Sequence, residues 1–276
     1  MTIPFEHEEP FPEFPEEDES DLAPEQVKGS VWHGHARKLP IRPWDPTIYE
    51  RNRIVCHADH TPETDLFRML AAQVVIWLEE RCGHSLVVTS CGGGEGKTLM
   101  SVNLAICLAK SSSYETVLVD ADLRRPNVAH MMGIDVEIGL EEVLAGNATL
   151  EDCLLASEIE GLFVLPTKAA IKPSSSLLSN VRLARLAEQI AALHRDRLVI
   201  FDLPPILLGD SCAPFLKTAA GCLMVVEEGR TTKAHLRRAL SLVRDEKLIG
   251  VTLNKASERV AHQYGYISYD YYAGKV

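Results

Sequence analysis

Nine residues, Ser90-Cys91-Gly92-Gly93-Gly94-Glu95-Gly96-Lys97-Thr98, separate the apolar run Leu86 to Thr89 from a helical stripe of Leu99, Val102, Ala105, Ile106 and Ala109. The glycines permit backbone conformations closed to other residues, so successive N–H groups can point into one concavity. A strand followed by a helix that carries the chain back needs a parallel partner strand, which restricts the fold sharply. Further short apolar runs follow at Val117 to Val119, Leu162 to Leu165, Leu198 to Phe201, Leu223 to Val226 and Leu248 to Leu253. Amphipathic stretches lie between them, with stripes at Leu183, Leu186, Ala187, Ile190 and Leu193 and at Leu236, Ala239, Leu240 and Val243. Strands apolar on both faces and separated by helices predict an α/β fold, a mostly parallel sheet flanked by helices on both faces.

Charge and proline divide the chain. Residues 1–27 carry ten Asp or Glu, no Lys or Arg and five prolines, which predicts a disordered acidic tail. The rest holds 29 acids against 28 bases, a balance that gives no cationic footprint for nucleic acid. Residues 28–60 read as an irregular segment, 61–256 as the folded domain and 257–276 as a tyrosine-rich tail. Thr61 as N-cap and Pro62 at the first helical position predict a helix running to about 81–83. No stretch approaches the roughly 18 apolar residues of a membrane span, and no export signal follows Met1, so a soluble cytoplasmic protein is expected. Seven scattered cysteines without a CxxC pair fit a reducing compartment and core positions. Cys56, His57 and His60, and His33 with His35, lack a second ligand pair at zinc spacing and are not expected to hold metal.

The glycine loop has the residues of a phosphate cradle. Its amides and the helix start supply partial positive charge, Lys97 can reach the β and γ phosphates, and Thr98 can ligate Mg²⁺. This is a Walker A loop in variant form, with Cys91 where the first glycine usually stands. Asp120 and Asp122 follow one apolar run and Asp202 follows another. All three are therefore expected at the C-terminal edge of the sheet, where open α/β sheets bind ligands.

Gly94-Glu95-Gly96-Lys97-Thr98, the segment Val117-Leu118-Val119-Asp120-Ala121-Asp122-Leu123-Arg124-Arg125-Pro126, and Phe201-Asp202-Leu203-Pro204-Pro205 resemble the Walker A, A′ and B motifs of the bacterial tyrosine kinases. That family lies within the MinD and ParA-type P-loop NTPases, and the similarity runs over roughly residues 62–276. It implies ATP and Mg²⁺ as cofactors, with Lys97, Asp120, Asp122 and Asp202 as catalytic residues. It further implies nucleotide contacts from Gly92, Gly93, Gly94, Glu95, Gly96, Lys97, Thr98, Leu99 and Asn254, the last to adenine. Thr98, Asp122 and Asp202 would attend the metal, and Asp120 would act as base or orienting group. Gly92 replaces the signature lysine of the MinD and ParA-type ATPases, which favours the kinase branch.

Five of the seven tyrosines, Tyr264, Tyr266, Tyr269, Tyr271 and Tyr272, crowd the last thirteen residues. In the resembled kinases such a tail is the autophosphorylation site. The resemblance also implies control of exopolysaccharide synthesis or export and a membrane-bound co-polymerase-like activator that recruits the chain to the inner face of the membrane. Self-association is expected too, although Asp65, Arg68 and Ala71 give an incomplete version of the Glu-x-x-Arg-x-x-Arg ring motif. The alternatives are a MinD or ParA-type regulatory ATPase and an inactive nucleotide-binding adaptor.

Overall fold

Short runs of Val, Leu and Ile build the centre of an eight-stranded sheet. The computed structural model describes residues 41–257 apart from 43–45, 59–60, 112–113, 173–176, 178 and 192–196, together with residue 260. In chain order the strands are β1 (Ile41–Arg42), β2 (Ser85–Ser90), β3 (Glu115–Asp120), β4 (Leu155–Ser157), β5 (Leu162–Leu165), β6 (Arg197–Asp202), β7 (Gly221–Glu227) and β8 (Leu248–Asn254). The helices are α1 (Pro46–Arg51), α2 (Pro62–Glu79), α3 (Lys97–Ser111), α4 (Val128–Met132), α5 (Leu140–Ala145), α6 (Leu150–Cys153), α7 (Asn180–Ala191), α8 (Ala213–Thr218) and α9 (Lys233–Leu240). The spatial order is β1-β4-β5-β3-β6-β2-β7-β8, parallel at every pairing except the antiparallel β4–β5.

Alternation along the strands assigns side chains to two layers. Leu86, Val88, Leu118, Leu198, Ile200, Leu223 and Val225 join one buried cluster with Ala71, Val74 and Leu78 of α2 and most of α3. Phe201 points to the other face, where its ring meets Phe215 of α8 at 5.3 Å, and α8 in turn contacts α7. Each fully buried Leu, Ile or Phe contributes about 1.5–3 kcal/mol.

Thr61 caps α2 through its side-chain oxygen, which accepts from Thr64 N, and Pro62 opens the helix. The helix stops at Glu79, slightly before the expected 81–83, because Cys82 turns into a left-handed conformation (φ 50°) and Gly83 N returns to Leu78 O. α3 departs from its expected single stripe. Val102 through Leu108 are all buried, since α3 is covered by α2 as well as by the sheet.

The segment 28–60 was expected to be irregular. Its described part instead holds β1, α1 and a strap at residues 54–58 laid on α3. Asn103 of α3 makes the strap: its Oδ1 accepts from Val55 N and Cys56 N at 2.8 and 3.0 Å, and its Nδ2 donates to Arg53 O. One polar side chain thus does what a neighbouring strand would do, and Tyr49, Ile54 and Cys56 become core residues. All seven cysteines are free thiols, and Cys82 alone is exposed. The acidic region 1–27, His33, His35, His60 and the tail tyrosines lie outside the described residues. Among the described residues, no helix is long and apolar enough to cross a membrane.

Candidate functional site

Register brings the three aspartates together. Asp120 ends β3 opposite Asp202 of β6, and Asp202 also faces Val88 of β2, three residues before the glycine loop begins. Lys97, first residue of α3, lies 3.0 Å from Asp122 Oδ2 and 3.5 Å from Asp202 Oδ2. Thr98 Oγ1 donates to Asp202 Oδ2 at 2.6 Å, and Ser101 Oγ donates to Asp202 Oδ1 at 3.0 Å. Lys97, Thr98, Asp122 and Asp202, expected to share one site, do so.

Asp120 is wholly buried and has a definite local task. Its Oδ2 accepts from Asn127 N and Val128 N, both at 2.9 Å, and so caps the start of α4. Its Oδ1 is buried without a protein hydrogen-bond partner. Burial first, and then the charge of Asp202, push the Asp120 carboxyl well above the usual carboxylate range, against the pull of Lys97 and the two amides. Burial opposes the charge of Lys97, yet Asp202, Asp122 and Asp120 outweigh it and hold the ammonium above its ordinary value.

The loop is braced from outside. Gly94 and Gly96 have φ of 81° and 95°, which side chains rarely tolerate, and a Cβ on Gly96 would strike Asn254 Nδ2. Gly92 N donates to Glu95 Oε2 at 2.8 Å, while Glu95 Oε1 receives the Thr231 hydroxyl. Asn254 Nδ2 donates to Glu95 O at 2.9 Å, and Lys255 Nζ donates to Gly94 O at 2.9 Å. Leu99 stands half-buried one residue into the helix after Thr98. The sequence reading missed Ser101, Thr231 and Lys255. Ser101 had a signal, a polar residue one turn beyond Lys97 in a mostly apolar stretch. The other two are brought in by the sheet order alone.

The donor set suits a nucleotide and a divalent cation. Lys97 is the one ammonium among three carboxyls, and burial holds those of Asp120 and Asp202 above the usual carboxylate range, so the cluster is short of positive charge. Together with the partnerless Asp120 Oδ1, that favours uptake of a divalent cation. Among the described residues no three His, Cys, Asp or Glu form a ready-made metal cage. Mg²⁺ held between phosphates needs only one or two protein oxygens, and Thr98 with Asp202 or Asp122 meets that requirement.

The family model described as the CobQ/CobB/MinD/ParA nucleotide binding domain matches residues 86–274. Tyrosine-protein kinase YwqD of Bacillus subtilis (strain 168) is 30% identical over 221 residues, covering 79% of this chain and 91% of YwqD. The chain belongs to the bacterial tyrosine kinases. The kinase is also similar to the succinoglycan biosynthesis transport protein ExoP of Rhizobium meliloti (strain 1021), 29% identical over 235 residues, which are 78% of this chain and 29% of ExoP. The crystal structure of the chimerical protein CapA2B2 superposes on the kinase with a TM-score of 0.66 at 25% identity, covering 80% of this chain and 96% of that one. Its fold is thus a nucleotide-binding α/β P-loop fold.

Proposed function

We propose that this kinase transfers the γ-phosphoryl group of ATP to Tyr264, Tyr266, Tyr269, Tyr271 and Tyr272 of its own C-terminal segment. The observation that carries the reading is the convergence of Lys97, Thr98, Asp122 and Asp202 within hydrogen-bonding distance at the end of the glycine loop. Phosphoryl transfer asks little covalent chemistry of a protein and depends on positioning and charge neutralisation. Bound Mg²⁺ would supply charge neutralisation on the phosphates, with Thr98, Asp122 and Asp202 as the residues that hold it. The amides of Gly93 to Thr98 cradle the phosphates while Glu95 holds that of Gly92, and Lys97 turns from its carboxylates to the β and γ oxygens. Asp120, sealed beneath α4, acts through position and field rather than by touching the tyrosine. Asn254 keeps one amide hydrogen beyond its bond to Glu95 O, enough to meet adenine.

ExoP's role in succinoglycan transport supports a part for this kinase in controlling exopolysaccharide synthesis or export. A membrane-bound co-polymerase-like protein would then be the activator that draws a cytoplasmic kinase to the inner face of the membrane. With Ala71 buried in the core, only Asp65 and Arg68 of the expected set are exposed, and so small a surface would keep self-association transient. On α2, Asp65 and Arg68 pair with each other at 3.2 Å.

The test incubates purified protein with Mg-ATP and maps phosphotyrosine by mass spectrometry. Phosphate on the tail tyrosines is expected. ATP hydrolysis without phosphotyrosine would replace the kinase reading by a regulatory ATPase, and neither reaction would leave an adaptor. Mixing a Lys97→Met chain that keeps its tyrosines with an active chain whose five tail tyrosines are Phe separates transfer between chains from transfer within one.

A further inference from the structure

Arg230 sits in the turn after β7, and that turn is fastened to the glycine loop. Thr231 donates its hydroxyl to Glu95 and accepts from Glu227 N at 3.0 Å. The fastening brings the guanidinium against Gly94, where a Cβ would lie 3.1 Å from Arg230 Nη1. Glycine at 94 is therefore needed twice, for its φ of 81° and for the approach of this arginine.

The guanidinium is lightly held. Its side chain is 57% exposed, and Nη1 meets Glu227 Oε2 at 3.1 Å. The same Oε2 takes Lys255 Nζ at 3.0 Å. Two cations share that one carboxylate beside Gly94, and Glu227 engages only one of the five N–H donors of Arg230. A cation with free N–H donors beside phosphate-cradling amides suits an anion with several oxygens.

We infer that Arg230 is a ligand for the polyphosphate chain of the bound nucleotide, adding a cation from outside the loop to the charge that Lys97 supplies from within. The inference rests on the nucleotide reading of the site and names a residue that neither the glycine motif nor the aspartates point to. A nucleoside di- or triphosphate is the ligand class.

The experiment measures MgADP binding by calorimetry for the wild type, Arg230→Ala and Arg230→Lys, with melting temperatures of the nucleotide-free proteins. Loss of a charge-assisted contact should weaken Arg230→Ala by about tenfold or more, while Arg230→Lys stays within about threefold of wild type. Unchanged melting temperatures should accompany both. An Arg230→Ala affinity within twofold of wild type overturns the inference. So does weakened binding that Lys does not rescue, or that comes with a lower melting temperature, because Arg230 would then only brace the loop through Glu227. A wild type that binds no MgADP fails the nucleotide reading itself, a result distinct from either.

Discussion

Two sets of cations and carboxylates with nearly equal ion-pair distances flank the same glycine loop. Lys97 lies 3.0 and 3.5 Å from Asp122 and Asp202, and Arg230 and Lys255 lie 3.1 and 3.0 Å from Glu227. Surroundings separate them. The Lys97, Asp122 and Asp202 side chains are 12, 5 and 0% exposed, whereas Arg230 and Lys255 are 57 and 46% exposed. Coulomb energy scales inversely with the local dielectric, so the inner set is strongly coupled and the outer set is screened by water and salt. Burying charge costs more than pairing returns unless geometry is good, which marks the inner set as retained for chemistry rather than stability. The outer set can exchange partners.

The comparison breaks most plainly at Lys97. Lys97→Met should lower the initial rate of phosphotransfer by at least about 100–1,000-fold, since it removes the cation from a water-excluded site. A wild-type rate in that variant would place the active centre elsewhere. Asp202→Asn leaves an acceptor for Thr98 or Ser101 but subtracts a charge, and should raise the Mg²⁺ concentration for half-maximal rate by about 10–100-fold. An unchanged Mg²⁺ titration would remove Asp202 from the metal's surroundings.

Asp120→Asn tests the cost of burial. Its carbonyl can still accept from Asn127 N and Val128 N while the buried charge disappears. The folded-state carboxyl titrates above its unfolded value, so ionisation weighs against the fold once pH exceeds the unfolded range near about 4. The variant should therefore match wild type in acid and gain on it as pH rises through the folded-state value. A gain of about 1 kcal/mol at neutral pH corresponds to about 2–4 °C in melting temperature for a domain of this size. Parallel pH profiles would show that the Asp120 carboxyl titrates alike in the folded and unfolded chain, so that burial does not perturb it. The smallest effect belongs to the outer set: Glu227→Gln should leave the melting temperature unchanged in high salt, as expected of exposed pairs. A clear drop would mean that the turn after β7 depends on Glu227 for its place.

The inner set was legible in the sequence and the outer set was not. Gly-Lys-Thr at 96–98 and aspartates directly after apolar runs are local signals, and the parallel-sheet rule places both at one edge. Arg230 and Lys255 have no local signature. They reach the loop because β7 and β8 follow β2 in the sheet order, a long-range fact. Fold elements divide likewise. Runs such as Leu198 to Phe201 revealed β6, while the two residues of β1 and the three of β4 are too few for any period to show. Asn103 was hidden by its neighbours: within an apolar helical stretch it reads as an accident, and only the strap reveals what it binds.

The position of β2 bears on how the molecule assembles. Its partners are β6 and β7, with Ser85 against Val199 and Leu86 against both Ile200 and Gly221. A ribosome therefore delivers the phosphate loop long before either neighbour of its strand exists. Until residues 197–227 emerge, β2 has two open edges of Leu and Val, a state that invites pairing with other chains. Such non-local parallel pairing is slow to form. Yield of the folded enzyme is thus set late in synthesis, and a chain truncated before β7 would be a candidate for aggregation rather than a weak kinase.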